Sequence, residues 1–493
     1  MKMSSVLNHA SPTGELASEV TDAPKTDFKL KGNMGTLDLV FTVLAFTAPL
    51  GVVFGFLSYN ISYGIGVPIA FLGVTVLMIM FAVGFTNMTR QVPRPGAFYT
   101  YIAEGLGRPL GLGGSFLALV TYGFNIVAAL VFAGIAVNNF ITSFIGESAV
   151  AWWVWSLLML AVVWGMSYFN VEFSAKVLTV VLFLEVVAIV IFDVVVLYNG
   201  GPEGHSIEPW NPVNLMTPTL GLLLLFSVGL FNGFEATAIY RDEVRDPINT
   251  IPRATYLAIV FLGVFYAISS YALITSAGVS HAVANAQANP AGMMPDALLR
   301  YFGVFANQVV AALLLTSMFA STLSLQNILS RYTHSLSVDG VLPRILATVH
   351  PKHGSPYMSA MAVGSFIFVA LVISILTKTK EMALYGAAVG IAFYGMLLLL
   401  FLTSVAVLVF FRRKGEGFSF WKTFVAPLIA AIGVGAVVVI ASANIELLID
   451  APHVIIWSLV ALTYVAIGLG VVIALVLKKK GSATYERIGR RVD

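Results

Sequence analysis

The sequence predicts an all-α integral membrane protein with twelve transmembrane helices, and three observations predict it. Of 493 residues, 58% are hydrophobic and only 10% are charged, with a mean hydropathy of +0.91; soluble domains run at about 45–50% apolar and about 25% charged. The apolar residues are gathered into twelve runs, most of them near or above the ~20 residues that a helix needs to cross hydrocarbon. The charges lie between the runs in blocks, which is how a chain that crosses a bilayer distributes them. A net charge of +3 with no single basic face removes nucleic acid as a partner. Zero cysteines exclude disulfides, thiolate metal sites and cysteine nucleophiles.

The runs define α1 to α12. The first six lie near 36–60, 66–88, 111–142, 150–169, 172–198 and 217–240, and the others near 254–277, 304–334, 357–376, 382–411, 420–443 and 454–477. Residues 1–35 are polar, acidic and basic by turns and lack the apolar core of a signal peptide, so they read as a cytosolic tail. Residues 478–493 form a second tail, and an even number of spans puts both tails on one side. Lys and Arg are retained on the cytoplasmic side. With the N-terminus inside, 24 of the 27 basic residues fall inside, leaving Arg300, Lys378 and Lys380 outside. This places the protein in the cell membrane, in contact with lipid, with cytoplasmic termini.

Acidic groups within the spans are costly and tend to mark a pathway or a structural partner. Asp38 opens α1, Glu185 and Asp193 lie on α5, and Glu235 lies within α6, with no Lys or Arg deep enough by sequence to neutralise them. Two readings stand for Asp193 near the outer end of α5: a solvated interfacial residue or a site residue. Glu185 lies roughly 20 Å into a ~30 Å core, at 1.5 Å per helical residue from the inner end. All seven histidines fall in tails, loops or helix ends, so neither an intramembrane metal cluster nor a cofactor site is expected.

Two of the helices are interrupted. In α1, Pro49 removes a backbone donor and Gly51 and Gly55 loosen the following turn. In α6, Gly229, Asn232, Gly233 and Glu235 fall within seven residues. Either one alone reads as an ordinary kink, since Gly and Pro are frequent in membrane helices. Together they hold equivalent positions if α1–α10 are two five-helix repeats, 36–198 and 199–411, whose odd length inverts the second. The remainder, 412–477, holds α11 and α12. Paired interruptions point to a midplane binding site, because broken helices present free N–H and C=O groups.

These residues also carry a resemblance. FNGFEATAIYRDEVRDPINTIPRATY, from Phe231 to Tyr256, resembles the α6–α7 signature of the amino acid, polyamine and organocation transporter superfamily; VPRPGAFYTYIAEGLGRPLG, from Val92 to Gly111, and SVDGVLPRIL after α8 resemble two of its inner loops. The resemblance implies a leucine-transporter-like inverted repeat with α11 and α12 peripheral, and secondary active transport of an amino acid or related organic amine by alternating access. Its residue roles carry over as follows. Glu235 matches a glutamate that takes part in proton-sensitive gating in arginine/agmatine antiporters, against the alternative of a structural carboxyl bonded to backbone. Phe231 matches an aromatic gate near substrate, against ordinary packing; Tyr122 and Asn125, on α3, which carries no sharp motif, are expected in the wall of the site, with Asn232 and Gly233 at the α6 break.

The chain departs from that pattern twice. Many relatives have Gly-x-Gly at the α1 break, whose amides bind a substrate carboxylate; here Ala48, Pro49, Leu50 and Gly51 stand there. Pro49 cannot donate, whereas Leu50 and Gly51 can, so both an altered carboxylate site and an amine without a carboxylate stay open. Proton-coupled relatives often carry a lysine on α5 that replaces a sodium ion, and Glu185 aligns at or near it. A carboxylate there could carry a proton, attract sodium or bind a cationic group. On α8, Ser321, Thr322 and Ser324 are oxygen ligands of the kind relatives use for sodium, or bond back to the preceding helical turn. Proton coupling is the favoured expectation, with sodium symport or exchange as alternatives. A channel would be expected to carry charged or repeated pore rings, and a membrane enzyme a catalytic constellation; neither is evident.

Overall fold

The computed structural model describes residues 34–92, 97–146, 150–169, 175–414, 417–447 and 453–489. Most of the N-terminal tail, residues 93–96 of the inner loop with Arg94, and Arg490 and Arg491 lie outside them. Among the described residues the secondary structure is helical, with no strand. Ten helices among the described residues are long and apolar enough to cross a membrane. They are α1 (Thr36–Ile61), α2 (Val67–Gln91), α3 (Arg108–Ile145), α5 (Ala175–Asn199), α7 (Pro247–Ala277), α8 (Met293–Val338), α9 (Tyr357–Leu376), α10 (Glu381–Lys414), α11 (Trp421–Leu447) and α12 (His453–Lys479).

The other two runs are shorter than expected. α4 spans Trp152–Tyr168, and α6 spans Leu220–Gly229 before the chain leaves the helix, which resumes only at Ala236–Ile239. The twelve long spans of the sequence reading are thus ten long helices and two short ones. α7 starts earlier than its apolar run because Pro247 occupies its first position, where a missing N–H costs nothing and a fixed φ is pre-set for helix. α8 contains a non-helical Gly303 at φ 80°, so its apolar stretch begins where the sequence placed it.

Burial differs widely among the long helices. In their most apolar stretches α3 and α10 are 78% and 72% buried, against 28% for α12. α12 packs on α3, and α11 on α10, α2 and α6.

The loops sort into two ends. At one, Arg108 pairs with Glu486 at 2.7 Å, the Gly489 N–H donates to the Tyr99 hydroxyl at 2.5 Å, the Met34 N–H donates to the Glu243 carbonyl at 3.0 Å, and Ile488 is buried with Leu112, Leu336 and Ala474. At the other, the Thr219 hydroxyl donates to the Tyr63 carbonyl at 2.5 Å, Tyr301 to the Gly200 carbonyl at 2.7 Å, and Arg300 to the Ser276 carbonyl at 2.8 Å.

At this second end Glu203 clips the loop after α7: its carboxylate accepts from the Ser280 N–H at 3.1 Å and from the Ser280 hydroxyl, with His281 at 3.9 Å. The two Ser280 bonds hold the Glu203 carboxyl below its ordinary value of 4.5 because they stabilise the charged form. A lowered value means that the clip contributes fully above the ordinary carboxylate range and is lost as pH falls through the lowered value. Glu203→Ala is therefore expected to raise hydrogen exchange across residues 278–289 at neutral pH, and wild type and variant are expected to converge in acid. A pH-independent difference between the two would assign the effect to something other than the carboxylate.

Candidate functional site

In α1 the first half ends at Thr47, and Ala48 takes a left-handed conformation at φ 48°, ψ 71°, which costs a non-glycine residue about 1–3 kcal/mol and persists only where its surroundings fix it. Pro49 then opens the second half at its first position. It begins a helix there and bends none, so the break lies one residue earlier than Pro49 suggested. The N-terminus of the second half presents a free amide: the Leu50 N–H points at Glu185 Oε2, 3.4 Å away. Glu185 is buried, and its Oε2 also accepts from the Ser317 hydroxyl of α8 at 2.9 Å. One carboxyl thus joins α5, the α1 break and α8.

The α6 break is closed by its own sequence. Gly233 stands at φ 113°, a region that L side chains rarely adopt, and its N–H donates to Glu235 Oε2 at 2.8 Å. The Tyr122 hydroxyl of α3 donates to Glu235 Oε1 at 2.7 Å. Glu235 therefore has the backbone bond of a structural carboxyl together with a tie to α3. Neither Glu185 nor Glu235 has a basic partner among the described residues.

Between the two breaks lies a cavity lined by Thr47, Ala48, Val52 and Phe56 of α1, Asn125, Ala129 and Phe132 of α3, and Gly229, Leu230 and Asn232 at the α6 break. Met318, Ser321 and Leu325 of α8 and Phe393 of α10 complete it. Of the residues named from sequence, Ala48, Asn125, Asn232 and Ser321 meet here. Asn232 Oδ1 is buried without a hydrogen-bond partner, an acceptor of the kind that ligand or water satisfies.

The others lie behind this lining. Pro49, Leu50 and Gly51 are buried in the second half of α1, and the Met318 methyl occupies the space where a side chain on Gly51 would begin. Tyr122, Gly233 and Glu235 form the α6 closure, and Glu185 sits behind the α1 break. Phe231, placed from sequence as a gate, is fully buried with its ring 6.4 Å from that of Phe71 on α2, and does not line the cavity. The Thr322 and Ser324 hydroxyls donate to the Met318 and Ala320 carbonyls at 2.6 and 2.9 Å, the turn-bonded alternative. Asp38 accepts from the Gly35 N–H at 2.8 Å and caps α1. Asp193 is 4% exposed and accepts from Ser269 of α7 at 2.7 Å, so it is not a solvated interfacial residue.

Sequence reasoning missed Phe56, Phe132, Phe393 and Met318. One signal could have found a ring: Gly229, where a Cβ would fall 2.1 Å from Phe393 Cγ, so the ring closes on the α6 break only because that position is glycine.

The model of the amino acid permease family matches residues 38–482. The chain belongs to the amino acid permease family. Among its relatives is the low-affinity putrescine importer PlaP of Escherichia coli strain K12, 23% identical over 456 residues, covering 89% of this chain and 94% of that one. The branched-chain amino acid permease BcaP of Bacillus subtilis is 22% identical, covering 78% and 82%, and the large neutral amino acids transporter small subunit 2 of Rattus norvegicus is 25% identical, covering 65% and 60%. The permease is an integral membrane protein, as its ten long apolar helices require.

Gly229→Ala is expected to destabilise this permease by about 1–3 kcal/mol through overpacking, and Phe393→Leu in the same chain to recover part of that loss. Melting temperatures of the two single variants and the double variant measure the coupling. Simple additivity would mean that the ring and the break do not meet.

Proposed function

We propose that this permease is a proton-coupled secondary transporter of an amino acid with a neutral, apolar side chain, working by alternating access about the α1 and α6 breaks. In this reading all twelve helices span the membrane, α4 and α6 included. α1–α5 and α6–α10 form a leucine-transporter-like inverted repeat with α11 and α12 at its edge. The termini are cytoplasmic in the cell membrane, which the gathering of the tail residues Met34 and Glu486 at one end of the bundle supports.

The observation that carries the substrate class is the lining of the cavity: Thr47, Asn125, Asn232 and Ser321 offer polar groups, Phe56, Phe132 and Phe393 offer rings, and no charged side chain is among them. A zwitterion brings its own opposite charges and needs donors and acceptors, for which amides, hydroxyls and half-helix ends suffice. A second ammonium would enter this lining without a carboxylate, which is costly for a buried charge. A diamine is the second reading; the similarity to a putrescine importer and the rings, whose faces attract cations, favour it. Counterflow in liposomes decides between them. Leucine-like and phenylalanine-like amino acids are expected to exchange and putrescine is not, and the reverse result would make this a diamine permease.

Glu185 is the proton carrier in this reading. Both of its donors reach Oε2, leaving Oε1 to carry a proton, whereas both oxygens of Glu235 are engaged. Intramembrane carboxyls without a fixed counter-ion serve as proton relays in transporters. Glu185→Gln is expected to reduce uptake driven by an imposed pH gradient at least ten-fold while counterflow stays within about three-fold. Wild-type uptake that requires sodium and ignores the pH gradient would overturn proton coupling and turn attention to Ser321.

A further inference from the structure

The reading above leaves one deeply buried acid unused. Asp193 lies eight residues beyond Glu185 on α5, roughly 12 Å along the axis, and about 9 Å from the end of the helix at Asn199. It is buried against α7, where the Ser269 hydroxyl donates to its Oδ2 at 2.7 Å, while its Oδ1 is buried with no partner. An unpaired carboxylate oxygen enclosed in protein is expensive, and packing alone gives no reason to keep it.

The surroundings of Asp193 lead toward Glu185. Tyr266 lies three residues before Ser269 on α7, on the same helix face. It is fully buried, and its hydroxyl, without a partner in good hydrogen-bond geometry, lies toward the Thr47 hydroxyl of the α1 break. Asp193 and Ser269 thus begin a polar line between α5 and α7 that Tyr266 continues toward the α1 break, where Glu185 accepts from the Leu50 N–H and from Ser317 of α8. Of the other titratable or charged groups toward this end of the elements packed on α5, Arg300 of α8 donates to the Ser276 carbonyl, Tyr301 to the Gly200 carbonyl and Tyr271 of α7 to the Ser206 carbonyl, Asp296 is exposed, and Tyr59 of α1 and Tyr63 just beyond it pack their rings on Phe226. On α1, Asp38 is at the far end, capping the helix.

We propose that Asp193 is the outer station of the proton route, holding the proton that enters from the outer end before it reaches Glu185, with the Tyr266 hydroxyl between them. The proton balance closes without a co-reactant. An acid at Asp193 and a carboxylate at Glu185 become a carboxylate at Asp193 and an acid at Glu185. The Tyr266 phenol gives its proton toward Glu185 and regains one from the Asp193 side, water bridging the line when the outer end opens. One proton and one negative charge are shared over the two carboxyls at each stage.

This inference rests on the proton-coupled reading, and the experiment separates the two. Wild type, Asp193→Asn, Asp193→Glu and Tyr266→Phe are reconstituted in liposomes, and uptake under an imposed pH gradient, counterflow and internal acidification are followed with external pH varied. Asp193→Asn is expected to lose at least ten-fold in gradient-driven uptake, to flatten its dependence on external pH, and to keep counterflow within about three-fold. Asp193→Glu is expected to restore the profile, and Tyr266→Phe to slow gradient-driven uptake alone. Should Asp193→Asn fail to fold, Ser269→Ala, which removes the hydroxyl that holds Asp193, is expected to move the external-pH profile. Wild type without proton-linked uptake overturns both readings. Proton-linked wild type with an unchanged profile in Asp193→Asn (in Ser269→Ala where that variant does not fold), or with counterflow and uptake lost together and no rescue by Glu, overturns the role of Asp193 and leaves that of Glu185 standing.

Discussion

Everything in this bundle follows from the requirement that backbone N–H and C=O groups in hydrocarbon be satisfied within the protein. The unbroken helices meet it by themselves. The two broken ones cannot, because each break exposes amides that have no partner in the preceding turn. A carboxyl is brought to each: Glu185 to the Leu50 N–H at the α1 break, and Glu235 to the Gly233 N–H at the α6 break. The N-terminus of a half-helix carries partial positive charge, so an acid is the side chain best suited to stand there. The cavity opens between these two stabilised breaks, which are also the places where the helices are free to change direction.

The pairs differ in reach. Glu235 satisfies an amide two residues away and is tied outward only through Tyr122, so its loop and its carboxyl move together. Glu185 reaches across 135 residues of sequence to Leu50 and 132 to Ser317, joining three helices through one oxygen. A change in its charge is felt by all three, because hydrogen bonds to an ionised group are stronger than those to a neutral one. This contrast suits Glu235 to holding a shape and Glu185 to sensing a state.

How much of this was legible in the sequence depends on how local the cause is. The helices were readable because hydrocarbon demands long apolar runs, and the α6 break because Gly229, Asn232, Gly233 and Glu235 are neighbours in the chain. The α1 break was readable only approximately. Pro49 drew attention to the spot, but the turn is made by Ala48, whose left-handed backbone has no signature in the residue type. The rings of the cavity were not readable: Phe56, Phe132 and Phe393 are three of 35 phenylalanines in helices that are apolar all round, where no polar face marks which way a side chain points. Phe231 illustrates the cost of adjacency as a guide, since it borders the break yet turns toward Phe71.

The distribution of charge around the cavity then bears on what can move through it. The lining is uncharged, and the acids stand one layer behind, Glu185 at the α1 break and Glu235 at the α6 closure. A net-neutral zwitterion can enter such a space without forcing either acid to change partners. A change of charge at Glu185 would alter the bonds that its Oε2 accepts from the Leu50 amide and the Ser317 hydroxyl. The cavity and the Glu185 carboxyl thus meet the same broken helix at neighbouring positions, the cavity at Thr47 and Ala48 and the carboxyl at Leu50. Between them the chain passes through the left-handed turn at Ala48 and through Pro49, a strained joint that the surrounding contacts must hold.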